Sequence, residues 1–316
     1  MPRRDVKPVG MKRTQQLPSV SFSVGSGAPH PTVRGIDIDW LHESQLVQLN
    51  RWRCHESGTG ITDERQQHWR VIGFVHAGAY QLHSPRGQAL IDPMNVAFLN
   101  PHEPYQTSHP CGCGDRGSSM ILREDMLREI VAERRPDLAD SAADPFTAPS
   151  GPCPSRAFIR HRRLMRQLEG REPVEPIAVE EAALAVAAEI VGAALAPGQT
   201  AARRRSRSAR RDLAEETQLL LGREFRHRVR LADLARAVDT TPYHLCRVFR
   251  EVCGMPIHRY LTLLRLRGAV EALAQDVKDL SSLALDLGFS SHSHFTESFR
   301  REFGFPPSRF RRPGPG

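Results

Sequence analysis

The sequence predicts a multidomain α+β protein with a strand-rich first half, a helical middle and an all-α C-terminal third. That last third is read as two helix-turn-helix units joined by a long helix. Three observations carry this. Short β-prone runs separated by turn signals fill residues 40–123. A repeat of about fifty residues occupies the C-terminal part. The basic excess is confined to that part, with 22 Arg+Lys against 13 Asp+Glu from residue 201 onward and 22 against 23 in the first 200.

The chain of 316 residues is long enough for two domains, and 40% hydrophobic residues suit a packed core. Residues 1–35 are rich in Pro, Gly, Ser and basic side chains without periodicity, so they are expected to be disordered. From about Trp40, the runs QLVQLNRWRC, WRVIGFVHAGAYQLH, GQALIDPMNVAFLN and SSMILR read as strands, broken by SGTG, SPRG, DPMN and NPHEP. That spacing predicts a small barrel or jelly roll.

Helical periodicity takes over from Glu124. EDMLREIVAERRPDL and SRAFIRHRRLMRQLEG read as amphipathic helices, the second with apolar Phe158, Ile159, Leu164 and Leu168. VEEAALAVAAEIVGAALA is apolar on most faces, so it must be buried against its own domain or a second subunit. The apolar run Ala182–Ala196 contains Glu189 and is too short to span a bilayer. No signal-peptide pattern opens the chain, so a cytoplasmic protein with six free thiols is expected. Pro197–Asp212, with Arg203, Arg204 and Arg205, reads as a basic linker.

The repeat aligns Thr240–Tyr260 with Ser290–Phe310, and six of the 21 positions are identical, His244/His294 and Phe249/Phe299 among them. Upstream, Leu231, Leu234, Ala235 and Val238 match Leu280, Leu283, Ala284 and Leu287, so the second copy has one extra residue in its turn. Each copy reads as helix, turn, helix. Thr241 is placed to cap the second helix of the first unit, with Pro242 at its first position and Gly254 at its end. Leu245, Val248, Phe249 and Val252 form its buried stripe; Phe295, Phe299 and Phe303, ended by Gly304, form the stripe of the second copy.

At 100° per residue, Tyr243, Arg247 and Arg250 lie opposite the first stripe, and Ser293, Glu297 and Arg300 opposite the second, flanked by Cys246 and Thr296. Long polar side chains on such a face are what a helix needs in a major groove. A helix from Pro256 to Gln275 would span roughly 30 Å, close to the ~34 Å turn of B-DNA, so it could hold two reading helices on one side of a duplex. His292 and His294 look like a metal pair, but on a helix they point about 200° apart and cannot easily share an ion.

These residues resemble the AraC/XylS family of bacterial transcription regulators. The match runs from about Ala209 to Arg312, carried by LADLARAV, HLCRVFREVCGMPIHRYLTLLRLRGA, LALDLGFSSHSHF and FRREFGFPPSRFR. It implies two helix-turn-helix units, about 231–253 and 280–303, each sending one helix into the major groove. Base contacts are then implied around Tyr243, Cys246 and Arg247, and around His292, Ser293, Thr296 and Glu297. The turn VDTTPYHL departs from the family, which usually has a glycine and a serine there. Glu297 is acidic; it could accept from cytosine N4 or pair with Arg300 or Arg301.

The strand-rich half resembles, more weakly, a degenerate cupin-like sensor barrel followed by dimerising helices, carried by VIGFVHAGAYQLH, LIDPMNVAFLNPHEPYQTSHP and CGCGD. The resemblance implies a sensor and dimerisation domain over 36–196, a linker over 197–208 and a DNA-binding domain over 209–312. Its implied partners are promoter DNA, an unidentified small-molecule effector, a second copy of the chain and RNA polymerase.

HPCGCGD, His109–Asp115, is the other candidate chemistry. Cys111 and Cys113, with Cys54 or His109, could bind a soft metal or sense redox state. The reading preferred here is a Gly-rich turn with incidental thiols, Asp115 closing it, and no metal, cofactor or catalytic residue. His76, His83, His102 and His109 lack the spacing of a cupin metalloenzyme. A thiol-based DNA repair protein would need a four-cysteine cluster that Cys54, Cys111, Cys113 and Cys153 do not supply.

Overall fold

The computed structural model describes residues 15–16, 35–56, 60–110, 114–138, 144–170, 172–196, 208–275, 277 and 279–311. The expectation of disorder over 1–35 falls almost wholly outside them, as do Cys111, Cys113 and Arg203 to Arg205.

The strand-rich half is an open barrel of two sheets. One has the order β1 (Gln15–Gln16), β4 (Arg65–Gln66), β9 (Pro104–Ser108), β6 (Tyr80–Ser84), β7 (Gly87–Ile91). The other runs β11 (Ser150–Pro152), β8 (Asn95–Leu99), β5 (Val71–Ala77), β10 (Asp115–Leu122), β3 (Val47–Cys54), β2 (Ile36–Glu43). After the two-residue β1, the strand expected from about Trp40 starts at Ile36, with alternating IDID setting one face of β2. Three short strands, β1, β4 and β11, have too few residues to show a period.

β5 reads as an unbroken apolar run because both of its faces are covered. Ile72 and Phe74 join a core shared with the helices, while Val75 packs with Leu82, Ile91 and Ala97 between the sheets. Against the outer face lie α1 (Glu124–Arg134), α2 (Ser155–Glu169) and α3 (Pro176–Ala194). The chain itself covers much of α3: Val179, Ala183, Val186, Ala187, Ile190 and Val191 are buried, and the helix packs on α1, α2 and β11. Among the described residues, no helix is long and apolar enough to cross a membrane.

The basic stretch expected to be linker up to Asp212 is helical from Ser208. In α4 (Ser208–Glu224), Ala214, Thr217 and Leu221 are buried, and the helix packs on the second helix of the first unit. That packing outweighs the Arg-rich composition of its first turn. The two units follow as α5 (Leu231–Ala237) with α6 (Pro242–Cys253), and α8 (Leu280–Asp286) with α9 (His292–Phe303). Between them lies α7 (Ile257–Ala274), and α10 (Pro307–Arg311) closes the chain.

The expected stripes are buried, with four exceptions, one of them Leu280, half-buried where it opens α8. Leu231 is 40% exposed because it opens a helix of only two turns, and Val252 and Phe303 are half-buried in last turns.

The core is continuous between the halves. Leu266, Phe295 and Phe299 belong to the same apolar cluster as Ile72 and Phe158. Polar contacts reinforce the seam. Arg267 on α7 reaches the carbonyls of Pro93 and Cys153 and lies over the Phe158 ring. Tyr260 donates to Asp92. Arg162 on α2 makes a two-point ion pair with Glu271, Nε–Oε1 2.5 Å and Nη2–Oε2 3.2 Å.

Candidate functional site

Both reading helices are built by local chemistry. The Thr241 hydroxyl accepts from the His244 N–H and Pro242 sits at N1 of α6; the Ser291 hydroxyl accepts from the His294 N–H of α9. Gly254 (φ 71°) and Gly304 (φ 82°) close the two helices in the left-handed conformation that glycine adopts without strain.

The turns before them are matched too. The Thr240 N–H donates to the Ala235 carbonyl and the Phe289 N–H to the Ala284 carbonyl, at 2.9 and 3.0 Å. Gly288 (φ 77°) makes the second turn, and Asp239 (φ 47°) does the same in the first. Aspartate tolerates this region better than most residues, which accounts for the missing glycine of VDTTPYHL.

The faces opposite the stripes are open. Tyr243 is 81% exposed, and Cys246, Arg247 and Arg250 are exposed beside it. On α9, His292, Ser293, Glu297 and Arg300 are exposed, while Thr296 is half-buried and lies 3.4 Å from His292 Nε2. Among the described residues, no carboxylate pairs with Arg247, Arg250 or Arg300, and no cation pairs with Glu297. Glu297 is therefore not tied to Arg300 or Arg301. His294 bonds the Ser290 hydroxyl at 3.1 Å and meets the Phe289 ring edge-on, a packing role at the turn. His292 and His294 do not converge.

Two short units with capped, outward-facing second helices, carried by one long helix, define a double helix-turn-helix DNA-binding domain. Residues 234–313 match the family described as helix-turn-helix domain. The HTH-type transcriptional activator AarP of Providencia stuartii is 33% identical over 85 residues, 27% of this chain and 63% of AarP. The bifunctional transcriptional activator/DNA repair enzyme AdaA of Bacillus subtilis is 28% identical over 91 residues, 29% of this chain and 43% of AdaA. Among solved structures, an AraC-type regulator from Chromobacterium violaceum aligns at 27% identity over 33% of this chain and 94% of that one, with a TM-score of 0.32. The C-terminal domain is thus of the helix-turn-helix type. The chain spans less than two thirds of the length of either curated relative.

A second site lies in the barrel. His109 and Asp115 meet Cys54, and all three are buried. Asp115 opens β10 directly opposite Cys54 at the end of β3. His109 Nδ1 lies 2.8 Å from Asp115 Oδ1, and its Nε2 lies 3.6 Å from Cys54 Sγ. Burial alone would lower the His109 pKa, but the bonds to Asp115 and Cys54 outweigh it and push it up to about 10. Both ring nitrogens then carry protons, and the sulfur is the acceptor.

The trio borders a cavity of about 160 Å³ between the sheets, lined by Trp40, Trp52, Tyr80, Tyr105 and Arg65 among others. Cys54 and Asp115 also border a wider cleft facing α4 and α7. Sequence reasoning missed this grouping because Cys54 and His109 meet only through strand pairing; the one available signal was His109 and Asp115 flanking a glycine-rich segment. It also missed a buried network behind β10, where the Ser118 hydroxyl lies 3.0 Å from His76 Nε2 and 3.1 Å from His161 Nε2. Cys153 stands outside the Cys54 group.

Proposed function

We propose that the chain is a one-component transcription regulator whose C-terminal domain reads promoter DNA under control of a signal taken up by the barrel. The observation that carries this reading is the pair of outward-facing polar faces on the capped helices α6 and α9, joined by α7, which at 18 residues spans about 27 Å. That length suits successive major grooves.

Tyr243, Cys246 and Arg247 are assigned to bases of one half-site, and His292, Ser293, Thr296 and Glu297 to the other. Arg250 and Arg300 complete these faces. Glu297, with no ion pair among the described residues, suits cytosine N4. The signal is a small molecule or a thiol-reactive compound entering the cavity between the sheets. The sensing and dimerising part covers 36–196, and the DNA-binding part starts at Ser208, where its first helix begins. A second copy of the chain and RNA polymerase are the proposed protein partners. The protein acts in the cytoplasm, without an enzymatic step.

Genome-wide mapping of bound sites, followed by footprinting, tests this. The expected footprint shows two protected major-groove contacts about 34 Å apart on one face of the duplex. Equal retention on all sequences at every salt concentration would overturn it.

A further inference from the structure

We propose that Cys54 is a nucleophile that captures a small α,β-unsaturated carbonyl compound in the barrel, with His109 and Asp115 positioning the reacting groups and Arg65 receiving the carbonyl oxygen. This deepens the sensing role given to the barrel and rests on it only for its regulatory meaning.

The arrangement has the three parts an activated nucleophile needs: a thiol, an imidazole in contact with it, and a carboxylate orienting the imidazole. The distances are 3.6 Å from Cys54 Sγ to His109 Nε2 and 2.8 Å from His109 Nδ1 to Asp115 Oδ1. The pairing of β3 with β10 sets Cys54 and Asp115 opposite each other. With its imidazole held protonated, His109 directs an N–H at the sulfur.

Arg65 is the independent sign of a ligand. It is only 8% exposed and lines the same cavity, yet its side chain has no carboxylate or hydrogen-bond partner among the described residues. Its guanidinium borders the cavity beside Tyr105, so an oxygen brought by a ligand is a natural counterpart for the charge. The size fits a small ligand, because an apolar cavity of about 150 Å³ takes up benzene, and here the volume is about 160 Å³ with aromatic walls.

The chemistry balances without a redox partner. The reacting form is the thiolate–imidazolium pair, in which the proton lost by the thiol is the one on His109 Nε2. Cys54 Sγ forms a bond to the β-carbon of the ligand, and the C=C π pair moves into an enolate whose oxygen faces Arg65. His109 Nε2–H then protonates the α-carbon. The product is a thioether, and His109 is left neutral with its Nδ1–H still directed at Asp115.

The site also borders the DNA-binding half. Arg223 on α4 donates to the Pro110 carbonyl at 2.9 Å, one residue beyond His109. An adduct on Cys54 therefore pushes on a wall that α4 touches.

The test uses the purified full chain, 2-cyclohexen-1-one as probe and saturated cyclohexanone as control. Intact mass and peptide mapping should find one probe first on Cys54, at a rate at pH 7 roughly tenfold above free N-acetylcysteine. Cyclohexanone should add no mass, and in excess it should protect Cys54. Arg65→Gln and Asp115→Asn should each slow labelling about tenfold. Melting curves identify a variant that has failed to fold, and the protection experiment on the unaltered protein stands without either variant.

Labelling first at Cys111, Cys113, Cys153, Cys246 or Cys253 would overturn the proposal. So would a Cys54 rate equal to free cysteine, or stoichiometric zinc in the purified protein that blocks the reaction. Cys54 labelling without any change in promoter binding would leave this site standing and sink the sensing role. An unreactive Cys54 beside a non-covalent ligand that shifts promoter binding would do the reverse.

Discussion

Removing Glu271 should expose how tightly the two halves are coupled. Its carboxylate is the two-point partner of Arg162, and both side chains are almost fully buried, at 8% and 4% exposure. Arg162 Nη1 already lacks a partner, and the neutral rings of His161 and His76 lie close by. Burial raises the Glu271 pKa while Arg162 draws it back down, so the pair persists only because each charge compensates the other. Glu271→Leu would leave the guanidinium buried and uncompensated, at a cost of about 3–5 kcal/mol. Arg162→Met should cost a similar amount by stranding the carboxylate. The double variant replaces the ion pair with apolar groups and should fall within about 1 kcal/mol of the parent, because desolvation of the pair offsets most of its attraction. Urea denaturation of the four proteins gives the coupling energy directly. If each single change costs less than about 1 kcal/mol, or the double variant loses the sum of both, the buried-pair argument is wrong.

Three further outcomes are expected. Phe299→Ala should cost about 3–5 kcal/mol in a melting experiment, because the ring is fully buried against Phe295, Phe303 and Phe305. Arg247→Ala should weaken the specific site by about 1–3 kcal/mol and relax base preference there in a competition binding assay; equal weakening on random DNA would make it a phosphate contact. Stability should peak near pH 6.5. Below it, burial keeps His76 and His161 neutral in the fold, with Arg162 adding to the effect, so the unfolded chain binds up to two more protons. Their contribution then falls by as much as about 2.7 kcal/mol per pH unit. Above it, the stabilisation from His109 is complete below pH 6.5 and is lost as pH rises toward about 10. His161→Phe, whose ring can stack on Phe74 as the imidazole does, should halve the acid slope; an unchanged slope would refute the assignment.

What was legible in the sequence was local. Thr241, Pro242, Gly254 and Gly304 act within one turn of where they stand, so their roles could be read from spacing alone. The same holds for the stripe of Phe295 and Phe299. Asp239 misled only by chemical type, since its backbone does what glycine does in the second copy. The barrel was legible as a class, but its interior was not. Cys54 and Asp115 are 61 positions apart and meet through register, which no local period encodes. Arg65 sits on a two-residue strand, too short to show which face it takes. The start of α4 was hidden by its arginines, because Ala214 and Leu221 gain their burial from packing on α6.

The seam along α7 has a consequence for motion. Tyr260, Arg267 and Glu271 stand seven and four residues apart, so at 100° per residue they fall within about 40° of one line along the helix. All three are held by the first half: by Asp92, by the carbonyls of Pro93 and Cys153, and by Arg162. Three anchors on one line fix the roll of the rod as well as its position. The rod that spaces the two reading helices is therefore keyed into the barrel, and neither helix can be re-aimed by a twist of α7 until that key is withdrawn.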